Sequence, residues 1–274
     1  MEGMIAIWQR DVLKFFRDRA RLFGSFVMPV LFLLIFGGGL SGTMESLVMS
    51  GVEGEGNFQY VKFVFPGIVA MTILMTAVFS SLSIIQDKEF GYMKEIMVSP
   101  ISRVYIALGK MLGASTVAFI QGVMMFLLIP FLGIRYDFIN LIKVLPFMFL
   151  LACTLASVGL LIASLLKSTQ GFQLIVQIIV MPMVFLSGAL FPVSNMPGWM
   201  DIIVKLNPIT YGVDIMKKVM IDVDSLSPLI REIMGLNLTI FQRPLSIMEE
   251  VLFMIIFTTV LILLATLSFR RANA

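Results

Sequence analysis

The stretch KEFGYMKEIMVSP (88–100) carries Lys88, Glu89, Lys94 and Glu95 between two long apolar runs. Charges and breakers in this pattern suit either a solvated loop or a contact with another protein. The rest of the chain gives proton chemistry little support. It has no histidine, which removes His-based acid–base catalysis, His-ligated metals and the usual membrane proteases built on Ser–His or His-Glu-x-x-His. Its one cysteine, Cys153, lies in an apolar run and has no second cysteine to pair with, so it reads as a small packing residue. Gly109-Lys110 lacks the earlier glycine and the following Ser or Thr of a phosphate-binding loop. No catalytic residue, metal site or nucleotide site is therefore expected in this chain.

A second group of polar residues lies inside the apolar runs. Thr72, Thr76, Ser80 and Ser83 recur at steps of four, four and three, so they share one helix face. Gln170, Gln173 and Gln177 recur at steps of three and four, and Gln121 stands alone in another run. Polar side chains are costly in lipid unless paired or wetted, so these faces are expected to point inward. Two uses are open for each: interhelical hydrogen bonding, or the lining of a substrate path. Ala152, Ala156, Gly159 and Ala163 form a small-residue face suited to close helix approach.

The elements that must position these residues are membrane helices. Of the 274 residues, 59% are hydrophobic and 14% charged, against about 45–50% and about 25% in a soluble domain. Six apolar runs are long enough to span a bilayer, near 22–40, 63–86, 111–133, 144–166, 172–191 and 251–269, and none contains Asp, Glu, Lys or Arg. The fold class is thus an all-α polytopic membrane protein in a single domain. With the N-terminus inside, the inner side holds twelve basic and six acidic residues and the outer side eight and eleven, an asymmetry that predicts both termini in the cytoplasm. Burying the five charges from Asp87 to Glu95 in lipid would cost about 12–17 kcal/mol, so 88–100 belongs outside the hydrocarbon, on the cytoplasmic side. The net charge of +3 is small and dispersed, which argues against a nucleic-acid partner.

Residues 8–23 place Trp8, Val12, Phe15, Phe16, Leu22 and Phe23 on one helix face and Arg10, Lys14, Arg17 and Arg21 on the other, a pattern for a helix lying on the membrane surface. The charges there break any signal peptide. Pro66 is expected in the first turn of the second span. Between the fifth and sixth spans, 192–250 is too long for a simple connection. Within it Asn207-Pro208 opens a short helix whose apolar face is Ile209, Val213, Met216 and Met220, with Asp214, Lys217 and Lys218 away from that face, on or dipping into the outer surface. A second short helix is expected from Ser227-Pro228 to Gly235, and Ser246 with Glu249 forms a capping box for the last span.

KEFGYMKEIMVSPISRVYIALGK (88–110), together with FPVSNMPGW (191–199) and LNPITYGVDIMKK (206–218), resembles the permeases of ABC-2-type transporters, and the likeness covers nearly the whole chain. Lys217 and Lys218 stand where that family often has an Arg-containing stretch. The resemblance implies the membrane subunit of an exporter for drugs, lipids, glycans or other amphiphiles. It implies two permease subunits, as a homodimer, in the inner cell membrane, with ATP and Mg bound by separate ATPase subunits. It makes 88–100 a coupling helix, with Glu89, Phe90, Gly91, Lys94, Glu95 and Pro100 as contacts to the ATPase, and Phe191, Pro192, Asn207, Pro208, Thr210 and Tyr211 as an external motif. Thr72, Thr76, Ser80, Ser83, Gln121, Gln173 and Gln177 are the substrate-path candidates. The alternative function is a regulatory or channel-like membrane protein without active transport.

Overall fold

The last 28-residue apolar stretch before Lys167 is a single unbroken helix, Phe138–Leu165, and the rest of the bundle is arranged around it. The computed structural model describes residues 2–39, 42, 60–92, 98, 102–134, 136–191, 193, 196–221, 238–240 and 243–271. In chain order the helices are α1 (Glu2–Arg17), α2 (Arg19–Phe32, continued by a wider π-helical segment to Gly39), α3 (Tyr60–Ser80) and α4 (Leu82–Glu89). Then come α5 (Arg103–Met124, extended by a tighter 3-10 segment to Leu132), α6 (Phe138–Leu165), α7 (Thr169–Phe185), α8 (Gly198–Leu206), α9 (Pro208–Ile221) and α10 (Ile247–Arg271). A two-residue antiparallel pair, β1 (Thr239–Ile240) with β2 (Arg243–Pro244), precedes α10.

Among the described residues, five helical stretches are long and apolar enough to cross a membrane: Leu22–Gly39, Tyr60–Glu89, Arg103–Leu132, Phe138–Leu165 and Ile247–Ser268. The run expected as a fifth span forms α7, which is shorter, with 17 residues. At about 1.5 Å per residue it covers roughly 26 Å, less than the ~30 Å of a hydrocarbon core. The chain turns at 186–190 instead of extending the helix, with Gly188 at φ +74°. A turn at that depth is tolerable only where protein surrounds it. Ser187, Ala189 and Leu190 are indeed buried.

The core lies where α3, α5, α6 and α9 meet, around Phe63, Phe65, Ile73, Met148, Leu155 and Tyr211. The small face of α6 is wholly buried, and Gly159 sits against the backbone at Val78. Helix α3 begins at Tyr60, six residues before Pro66, so the proline lies inside the helix and not in its first turn. Proline cannot donate to the carbonyl four residues back. That carbonyl, on Lys62, accepts instead from the Tyr136 hydroxyl at 2.8 Å.

The amphipathic N-terminal helix starts earlier than expected and ends at Arg17; Leu22 and Phe23 belong to α2. Its apolar side is turned partly onto the bundle. Ile7 and Phe15 are buried, and the Trp8 indole donates to Thr116 of α5 at 3.0 Å, while Phe16 stays exposed. Helix α9 corrects the expectation of a one-sided surface helix. Pro208 through Lys217 are all buried, Asp214 and Lys217 included. The capping box is present: the Ser246 amide donates to Glu249 at 2.9 Å and the Glu249 amide to Ser246 at 3.4 Å. The helix expected at 227–235 lies outside the described residues.

Candidate functional site

The KEFG sequence ends α4. Phe90 caps the helix and Gly91 follows at φ +83°, a left-handed turn that a side chain would strain, with open space around its Cα. Lys88 and Glu89 do not point away from the chain. The Lys88 ammonium donates to the carbonyls of Ala163 (2.8 Å), Ser164 (2.9 Å) and Leu166 (3.0 Å), the open C-terminal end of α6. The Glu89 carboxylate accepts from the Thr169 amide and hydroxyl, each at 2.8 Å, at the first residue of α7. Two consecutive residues thus hold both sides of the joint between α6 and α7. Phe90 and Tyr92 are exposed. Lys94, Glu95 and Pro100 lie outside the described residues.

Behind this edge sits an ion network that joins Arg10, expected on the free polar face of a surface helix, to charges at the ends of two spans. Lys110, on α5, is buried and pairs with Asp87 (2.6 Å) and Asp11 (3.0 Å); Arg10 pairs with Asp87 (2.6 Å) and Asp11 (3.2 Å). Ser83 accepts from Lys110 at 3.3 Å. These bonds fasten α1 to α4 and α5. A shallow crevice opens beside them, lined by Lys14, Ser80 and Ser83 among others, and the buried Ser80 hydroxyl has no hydrogen-bond partner among the described residues.

The polar seams divide. Thr72 bonds its own helix, at the Ile68 carbonyl. Thr76 donates to Gln121, and Gln121 donates to Ser25, tying α3, α5 and α2 together. Gln173 and Gln177, by contrast, are exposed on α7 and neither bonds to another described residue. Among the described residues they do not join helices.

At the opposite end the external motif serves the turn after α7. Asn207 donates to the Met183 carbonyl (2.7 Å), Thr210 to Leu186 (3.4 Å), Lys217 to Gly188 (2.6 Å) and Tyr60 to Leu190 (3.0 Å). Pro208 opens α9, with Asn207 accepting from the Ile209 amide at 3.3 Å. Tyr211 stacks on Phe253 at 4.0 Å and donates to the Lys205 carbonyl. Phe191 meets Phe36 edge-on, and Pro192 lies outside the described residues. The Lys217 ammonium lies 3.4 Å over the Phe63 ring, and burial pushes its pKa down to about 7. Lys218 joins Asp214 (2.9 Å) and Glu250 (2.5 Å), and Asp214 also accepts from the Leu238 amide. The charges on α9 that were expected at a surface are internal because they find partners inside, Lys218 in Asp214 and Glu250 and Lys217 in the Gly188 carbonyl.

The chain is similar in sequence to known proteins. The chain is 30% identical over 216 residues to a protein named as transport permease ycf38 of Cyanophora paradoxa, covering 78% of this chain and 72% of that one. It is 33% identical over 165 residues to a protein named as the multidrug ABC transporter permease YbhR of Escherichia coli K12, 60% of this chain and 45% of that one. Nodulation protein J of Rhizobium meliloti is 25% identical over 220 residues, 79% of this chain and 80% of that one. The family model described as ABC-2 type transporter matches residues 2–221, from the first turn of α1 to the last residue of α9. Both helix-end motifs fall within that match, and this multi-pass membrane protein is a permease of the ABC-2 type transporter family.

Proposed function

We propose that this permease is the membrane subunit of an exporter that moves a hydrophobic or amphiphilic molecule outward, driven by ATP hydrolysed with Mg on separate ATPase subunits. The observation that carries the reading is the edge at 88–92. Phe90 and Tyr92 are large aromatic side chains exposed next to charges that are themselves tied to two helix ends. Exposed aromatics on a rigid base are suited to a protein contact. In this reading Phe90, Gly91 and the following residues, Lys94, Glu95 and Pro100 among them, meet the ATPase, and Glu89 acts from behind them. The basic excess on this side supports an inner-membrane protein with both termini in the cytoplasm. A second copy covers the exposed side of α7, where Gln173 and Gln177 line the path. The multidrug name of YbhR favours drug-like cargo.

The test uses inside-out vesicles containing the permease and its co-expressed ATPase, with ethidium and a fluorescent phospholipid analogue as probes. ATP-dependent accumulation of either probe, absent with a non-hydrolysable analogue, is expected. ATP-dependent loss of probe from preloaded vesicles contradicts the outward direction. No ATP-dependent movement of either probe contradicts this cargo class.

A further inference from the structure

Helix α7 is held in an unusual way. Along its length it buries one narrow stripe, Phe172, Val176, Val180 and Val184, at steps of four. Its other flanks, with Leu174, Ile178 and Met181, are exposed. Among the described residues, its directional bonds to other elements lie at its two ends. At the first residue Glu89 grips Thr169 through amide and hydroxyl. At the far end Asn207, just before α9, with Thr210 and Lys217 of α9, holds the carbonyls of Met183, Leu186 and Gly188. An apolar stripe resists sliding weakly, whereas hydrogen-bonded ends transmit displacement, and a helix between them is stiff.

Glu89 does more than cap α7. Ser168 accepts only from the Gly171 amide, at 3.2 Å, and Glu89 takes the Thr169 amide, another of the first-turn N–H groups that have no partner within the helix. Glu89 also accepts from the Thr169 hydroxyl, which capping does not require, comes from 80 positions away in sequence, and sits next to Lys88, which holds the preceding helix end. That pairing serves the joint as a whole.

We infer that Lys88 and Glu89 are the positioning pair through which displacement at the exposed Phe90 edge reaches α7, and that α7 carries it as a strut to α9 at the opposite end. This rests on the reading that an ATPase meets that edge. It assigns Glu89 a partner within its own chain, Thr169, and gives the external Asn-Pro-x-Thr motif the receiving end of the same strut.

The experiment uses the permease–ATPase complex in nanodiscs, with spin labels at Leu174→Cys and Leu267→Cys in a Cys153→Ser background. Both label sites are exposed, on α7 and on the matching end of α10. The interlabel distance is measured without nucleotide and with ATP and vanadate. A nucleotide-dependent change is expected in the parent. It is lost in Glu89→Ala, diminished in Thr169→Val, which keeps only the amide bond, and restored in Thr169→Ser, while the ATPase stays bound in all. A full change in Glu89→Ala, or no change in the parent with ATPase bound, overturns the proposal. Release of the ATPase by Glu89→Ala with no effect of Thr169→Val also overturns it, because Glu89 would then belong to the ATPase contact. A parent chain that binds no ATPase removes the functional reading, and the strut falls with it.

Discussion

Replacing Lys110 with Met removes the buried cation of the α1–α4–α5 network and tests whether α1 is fastened to the bundle. The Lys110 side chain is 1% exposed and pairs with Asp87 at 2.6 Å and Asp11 at 3.0 Å, which are 6% and 10% exposed. Removing one partner of a buried pair costs about 3–5 kcal/mol, because the opposite charge is left uncompensated. Arg10 reaches both carboxylates but is 42% exposed, so it retains part of the pairing. The expected loss is therefore near the lower bound, about 3 kcal/mol. At roughly 2–4 °C per kcal/mol for a chain of this size, the apparent melting temperature should fall by about 6–12 °C in detergent. Lys110→Met/Asp87→Asn, which removes one charge of each sign, should be less destabilised than Lys110→Met alone. Lys205→Met is the control: its pair with Asp201 is partly exposed, and such pairs contribute about 0–1 kcal/mol. The assay is loss of monodisperse protein on heating, followed by size-exclusion chromatography. A Lys110→Met protein as stable as Lys205→Met, or a double variant worse than the single, would refute the network.

Three further outcomes follow from the geometry. Gly67→Ala places a Cβ against the Ala189 carbonyl and 2.6 Å from its Cα, so it should cost at least the ~1–3 kcal/mol of overpacking, whereas Gly24→Ala, with nothing within 4 Å, should not destabilise; thermal scans of the two compare directly. Gln173→Leu/Gln177→Leu should leave the stability of the isolated chain unchanged and alter which probes stimulate ATP hydrolysis, and a fall in melting temperature would show that they hold helices together after all. Lys217 has its pKa lowered from 10.5 to about 7, so the unfolded chain binds more protons between those values and stability should rise as pH increases through that window. Lys217→Met should flatten that rise in a melting series across the same pH range.

The membrane character, the long helices and both motifs were legible because apolar run length and helix-end signals are local. The capping box at Ser246 was read from a few neighbouring residues. What escaped the sequence depends on distant partners. Lys110 and Asp87 looked like loop charges at the ends of two runs, and only the packing of α5 on α4 shows that they neutralise each other. The charged side of α9 pointed to water for the same reason, until Glu250 and the Gly188 carbonyl supplied partners. Opposite charges at facing span ends were the available signal. The end of α7 was misplaced because an apolar run carries no mark of where a turn can be enclosed by other side chains.

The central claim is that an ATPase drives this permease through the Phe90 edge. A photoreactive amino acid at Phe90, which is 71% exposed, tests it in membranes that also contain the co-expressed ATPase. Trp199, exposed on α8 near the opposite end, carries the same probe as control. A cross-link to the ATPase is expected from Phe90 and none from Trp199. A cross-link from Trp199 alone, or from neither position while the ATPase co-purifies, would contradict it.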